Sequence, residues 1–175
     1  MLIQNKIGNL EMFEINHRQV DYILLEWYEA RKRILRKTTR SGKDISVKFL
    51  NENPELTEGD VLSADDETII AVSINSCDCI VVQPKNMFEM ASVCYEIGNK
   101  HLPLFYEADQ LLVPFEMPLY KLLSAQGYTI IKEKRKLLQP LKTTVSPHYD
   151  GSNDSLFSKI MKLTSPSPPA PPKGD

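Results

Sequence analysis

The sequence predicts an α+β protein: a β-rich amino-terminal domain, then a ferredoxin-like βαββαβ domain, then a flexible carboxy-terminal tail. Three observations carry this reading. Short alternating segments broken by glycine and acidic turns fill the front of the 175-residue chain, as half-buried strands require. Behind them, two stretches of three- and four-residue apolar spacing sit among strand-like runs in the order strand, helix, strand, strand, helix, strand, which is the order of a split βαβ unit. Finally, positions 164–172 hold five of the chain's twelve prolines, and a segment so poor in amide donors continues neither a helix nor a central strand. The expected boundaries are 1–75, 76–139 and 140–175.

Each element has its own local reason. Alternation at 22–27 and again at 45–49, with Ser41-Gly42-Lys43 between the flanking segments, predicts hairpin strands. Glu58-Gly59-Asp60 predicts a turn into another strand, and 68–74 a further strand after the acidic turn Asp65-Asp66-Glu67. Residues 79–83 read as the first strand of the second domain. From 86 to 98, Met87, Met90, Ala91, Cys94 and Ile97 recur at helical spacing and form the expected buried stripe. Strands at 103–107 and 111–115 flank Ala108-Asp109-Gln110. Pro118 suits the first turn of a short helix with Leu119, Leu122 and Leu123 inward, Gly127 stops it, and 129–134 supplies the last strand. From Gln139 onward the chain is expected to loosen.

Composition narrows the functional classes. With 42% hydrophobic and 25% charged residues and a formal net charge of -2, the chain can bury one ordinary core or two small ones and is not a generic polyanion binder. The first twenty residues hold no apolar run long enough for a secretory signal, and no stretch approaches the ~20 apolar residues of a membrane span, so a cytoplasmic location is expected. Cys77, Cys79 and Cys94 are an odd set, with the first two too close for an easy disulfide, so reduced thiols are expected.

One histidine stands at a helix exit. Glycine and asparagine both tolerate the left-handed conformation that closes a helix, so Gly98-Asn99 is read as the stop, leaving His101 just past the last carbonyls, where cations are favoured. Neutral imidazole is a good ligand for borderline divalent metals. No nearby histidine or cysteine pair would close a cage within one chain, so a metal site on His101 needs the tail histidine, His148, or symmetry. In an isologous dimer a residue near the two-fold axis is paired with its own copy, and one imidazole becomes two. Equally, the spacing allows His101 to be only a cap or a turn residue.

Glu96-Ile97-Gly98-Asn99-Lys100-His101, followed by Leu102-Pro103-Leu104, resembles the signature of the urease accessory nickel chaperones, the E-type proteins of urease maturation. Leu25-Glu26-Trp27, Thr39-Arg40-Ser41-Gly42-Lys43-Asp44, Leu56-Thr57-Glu58-Gly59-Asp60-Val61-Leu62 and Ile70-Ala71-Val72 resemble that family's amino-terminal half, in the same order. Val145-Ser146-Pro147-His148 resembles a tail segment that carries a second ligand in some members. The resemblance implies a cytoplasmic homodimer in which two copies of His101, with His148 as a further ligand, hold one Ni(II) at the dimer axis. It also implies delivery towards apo-urease through a GTPase urease accessory protein, and no catalysis. Zn(II) is a competing ion, because imidazoles alone do not select nickel. Many relatives end in a histidine-rich tail; here no histidine follows His148, which implies one shared site and not bulk storage.

Two other readings compete. Arg31, Lys32, Arg33, Arg36, Lys37, Arg40, Lys43 and Lys48 lie along one expected hairpin, which could track phosphates in a nucleic-acid or ribosome-associated protein. Aromatic residues that would stack bases are not interleaved among them, and a solvated or protein-docking face accounts for the same cations. Cys77 and Cys79 share one side of a strand and could serve a soft metal or an enzyme nucleophile, but no histidine is near in sequence to activate a thiolate. Packing accounts for them, and for Cys94, equally simply. His17 is expected to be a surface residue.

Overall fold

β-Branched, alternating runs pair into two sheets in the first half of the computed structural model, which describes residues 1–50 and 55–141. The strands are β1 (Leu2–Ile3), β2 (Gly8–Asn9), β3 (Gln19–Leu25), β4 (Ile34–Thr38), β5 (Asp44–Lys48), β6 (Asp60–Ala64) and β7 (Thr68–Ile74). One sheet runs β1-β5-β4, the other β2-β6-β7-β3. Alternation decides which side chains go inward: Ile23 and Leu25 of β3, and Ile45 and Val47 of β5, meet Leu35, Ile70 and Val72 in a shared core.

The strands at 22–27 and 45–49 are not hairpin partners. Strand β5 pairs with β4, whereas β3 runs parallel to β7 in unbroken register from Gln19↔Thr68 to Leu25↔Ile74. Alternation marks a strand without naming its neighbour, and a parallel neighbour must lie across a long crossover. Strand β3 also ends earlier than expected. Trp27–Glu29 forms a single 3-10 turn, closed by the Glu26 N–H donating to the Glu29 carboxylate at 3.0 Å.

The second half follows the predicted order: β8 (Cys77–Val82), α1 (Met87–Asn99), β9 (Phe105–Glu107), β10 (Gln110–Pro114), α2 (Met117–Ala125) and β11 (Ile130–Arg135). Its sheet is ordered β11-β8-β10-β9 and antiparallel throughout, the arrangement of a ferredoxin-like domain, so the fold class is the α+β class expected. Both helices cover one face, where Ile80, Val82 and Leu111 pack against Val93, Ile97 and Leu123. Helix α1 is rotated relative to the predicted stripe. Val93 and Ile97 are its buried residues, with Met90 and Cys94 packed beside them, while Met87 and Ala91 face outward.

The other face is covered by the amino-terminal half. Cys79, Val81, Phe105, Leu112 and Leu137 form a cluster against which Trp27 packs, and the Trp27 ring meets Phe105 edge-on with centroids 5.7 Å apart. Strand β8 is therefore buried on both sides, with Cys79, Ile80, Val81 and Val82 all at most 2% exposed. At about 1.5–3 kcal/mol for each fully buried aliphatic side chain, this strand is a major source of cohesion.

Past β11 the chain returns to the first half. The Lys136 ammonium donates to Glu58 Oε1 at 2.8 Å, and Glu58 Oε2 accepts from the Ile74 N–H at 2.7 Å. Leu138 packs on the amino-terminal core. Residues 139–141, expected to be loose, are held instead: the Tyr106 N–H donates to the Gln139 carbonyl at 3.0 Å and the Leu141 N–H to the Leu104 carbonyl at 2.8 Å. These bonds cover the outer edge of β9. At the opposite edge, β11 exposes Lys132, Glu133 and Lys134. The tail beyond residue 141 lies outside the described residues.

Burial alone would raise the Glu58 carboxyl, but the Lys136 ammonium, the Ile74 N–H and the Ser73 hydroxyl hold it below the ordinary range. A lowered carboxyl contributes stability that is present above its unfolded pKa, about 4.3, and is lost as pH falls through the folded value. Denaturant unfolding of the wild type and Glu58→Gln should therefore differ most near neutrality and converge in acid below that window. A gap of the same size on both sides of it would show that Glu58 does not couple the two halves electrostatically.

Candidate metal centre

Helix α1 sets the site. Its start is fixed by Asn86, whose Oδ1 accepts from the Glu89 N–H at 2.9 Å, with the Glu89 carboxylate reaching back to the Lys85 N–H. Its end differs from the sequence expectation. Gly98 and Asn99 stay helical, Lys100 is the C-cap, and the left-handed residue is His101 itself, at φ +55°. The His101 N–H donates to the Gly98 carbonyl at 2.9 Å and the Leu102 N–H to the Ile97 carbonyl at 3.4 Å, which is the Schellman closure.

Helix α2 provides an internal comparison. It closes with the same pair of bonds, from Gly127 N–H to Ser124 at 3.0 Å and from Tyr128 N–H to Leu123 at 3.2 Å, and the left-handed place is taken by glycine at φ +80°. An L-residue there costs about 1–2 kcal/mol. Histidine is among the types that visit this region more often than most, yet it remains the dearer choice. The imidazole is exposed, beyond the last carbonyls of α1.

One apolar helix face leads towards it. Met87, Phe88 and Tyr95 are 81%, 83% and 70% exposed, and Phe88, Ala91 and Tyr95 recur at three- and four-residue spacing along the outer side of α1. Sequence reading missed this face because it looked for one buried stripe. The signal was present in Phe88 and Tyr95, two large apolar residues seven positions apart and outside that stripe.

The other candidates are dispersed. His17 is exposed in the amino-terminal half, after left-handed Asn16, and His148 lies outside the described residues. Among the described residues no three histidine, cysteine or acidic side chains are grouped closely enough to hold an ion. The Cys77 and Cys79 sulfurs are 3.6 Å apart. Burial and the neighbouring thiol push Cys79 up to about 12, and burial also raises Cys77 and Cys94, the reverse of what an activated nucleophile needs. The basic run is divided as well. Lys32 and Lys37 both pair with Glu29, and Arg40 lies over the Tyr22 ring at 5.4 Å. Arg36 and Lys48 share the outward face of their sheet with Leu2, Ile34 and Ser46.

Comparison with known proteins gives the chain a family. Residues 3–75 match the family model described as UreE urease accessory protein, N-terminal domain, and residues 77–153 match the C-terminal domain model of the same family. A urease accessory protein UreE from Flavobacterium johnsoniae is 48% identical over 163 residues, covering 93% of this chain and 99% of the relative. Proteins of the same name from Acetivibrio thermocellus and Helicobacter pylori are each 39% identical, over 81% and 93% of this chain and 92% and 100% of their own lengths. The relatives are named as accessory proteins, not as enzymes, and no helix among the described residues is long and apolar enough to cross a membrane. Together the two matched domains and the full-length relatives show that this chain belongs to the UreE urease accessory protein family.

Proposed function

We propose that this protein is a nickel metallochaperone of urease maturation, a homodimer whose two His101 imidazoles share one Ni(II) across the two-fold axis. The observation that carries the reading is His101 held left-handed at the exposed end of a helix whose outer face, Met87, Phe88, Ala91 and Tyr95, is uncovered. One imidazole per chain is too few donors for tight binding. A second copy seated on that face would bury the apolar residues and bring a second imidazole to the same axis.

His148 is the natural further ligand. It follows Leu141 by seven residues, a reach of up to about 24 Å, and Leu141 is bonded to Leu104, three residues beyond His101. A site with few protein ligands, one of them on the tail, releases its ion by stepwise ligand exchange, and that suits delivery through a GTPase accessory protein to apo-urease. Zn(II) competes for the same imidazoles. The three free cysteines among the described residues fit a cytoplasmic setting. For the nucleic-acid reading, the division of the basic run between ion pairs and an apolar-mixed face offers no continuous phosphate track.

Calorimetric titration with mass measured in parallel should give about one tight Ni(II) per two chains, lost in His101→Ala and weakened in His148→Ala; unchanged binding in His101→Ala would refute the reading. Alanine at position 101 keeps the left-handed strain and should barely change stability. His101→Gly removes about 1–2 kcal/mol of strain and adds about 0.5–1 kcal/mol of unfolded-chain entropy, so the apo protein should gain roughly 0.5–1 kcal/mol while nickel binding is lost. Thermal unfolding measures this. Phe88→Glu should yield a folded monomer without the tight site, and a dimer that persists in sedimentation would place the interface elsewhere.

A further inference from the structure

The nickel reading leaves the Cys77 and Cys79 pair unused. Two positions apart on β8, they project to the same side, and their sulfurs stand 3.6 Å apart. Two thiolates about 2.3 Å from one ion stand about 3.8 Å apart at a tetrahedral angle and about 4.0 Å apart at a trigonal one, so the pair has to part by only a few tenths of an ångström to bite a single ion. Cys79 is fully buried and Cys77 half-buried, which makes the Cys77 side the way in. Val81, Phe105, Leu112, Leu137 and Trp27 surround the pair with apolar side chains, and the Cys77 and Arg135 carbonyls lie 3.4 Å and 3.8 Å from the Cys79 sulfur.

The chemistry of the surroundings selects the ion. Zn(II) requires four donors, and among the described residues no third histidine, cysteine or acidic group completes a set. An ion satisfied by two or three soft donors fits, and thiolate sulfur favours Cu(I). We propose that Cys77 and Cys79 chelate one Cu(I) per chain, with a third position open to a small-molecule thiol. Two S–Cu bonds form, the two thiol protons pass to solvent, and copper keeps its oxidation state, arriving from a soluble Cu(I) chelate whose ligand is released. The pair binds reduced copper in sulfur, away from the exposed imidazoles, and does not depend on the nickel site.

The test is competition for Cu(I) against a chromophoric chelator, using the reduced full-length protein without oxygen and following Trp27, the chain's one tryptophan, by fluorescence. The wild type and Cys94→Ala should each hold one Cu(I) and quench Trp27 together with binding, whereas Cys77→Ser and Cys79→Ala should bind at least about tenfold more weakly. Nickel uptake should be unchanged in Cys77→Ser. That half-exposed position keeps the test valid if substitution of buried Cys79 impairs folding. Full-strength copper binding in folded Cys77→Ser, or loss of copper in Cys94→Ala or His101→Ala with the Cys77 and Cys79 pair intact, overturns the proposal.

Discussion

Burial of both faces of strand β8 fixes where the rest of the molecule can go. One face needs the two helices, and the other needs Trp27 and the segment after β11 at Leu137. The split βαβ order supplies the first cover, and the parallel alignment of β3 with β7 carries the second, because β3 delivers Trp27 to the junction and β7 leads through Asn75 and Ser76 into β8. The Asn75 side chain donates to the Glu26 carboxylate at 2.9 Å, which ties the connection to the turn that presents Trp27. With both faces of this sheet occupied, the outer side of α1 is the broadest apolar helix surface that packing among the described residues leaves exposed.

Much of this was legible in the sequence, and the failures have physical causes. Element order in the second half followed from periodicity and from the helix signals at Asn86, Pro118 and Gly127, which are local. Pairing of β3 was not legible, because alternation at 22–27 is the same whether the partner lies across a hairpin or across a long crossover. The end of α1 was misread because glycine at position 98 looked like the stop, yet the left-handed place fell three residues later on a histidine. Rotation of the helix was misread because Met87 and Ala91 are as apolar as Val93. Only the shape of the surface below decides between such stripes. The double burial of β8 could not be anticipated either, since alternation shows that Cys77, Cys79 and Val81 share a side and not what covers it.

His101 is where local backbone preference and the residue present part. Two helices of one domain end by the same hydrogen-bond pattern, one with the residue that suits it and one with a residue that does not. Local exceptions of this kind concentrate at functional positions, where the surrounding structure holds them in place. The two backbone bonds fix the Cα of His101, so the imidazole starts from a rigid base even though its side chain stands in water. In the proposed dimer a ligand that must be found by a second copy of itself would gain from this, because fewer arrangements need to be sampled before two rings face each other.

The two edges of the carboxy-terminal sheet determine how copies of this chain can meet. One is occupied by residues 139–141, and the other carries alternating charges at Lys132, Glu133 and Lys134, a pattern that discourages strand addition. Growth of the sheet into a ribbon of successive molecules is blocked at both ends. In the proposed dimer, a self-facing contact through the flank of α1 closes after two copies, and an assembly of that kind stops at a fixed size.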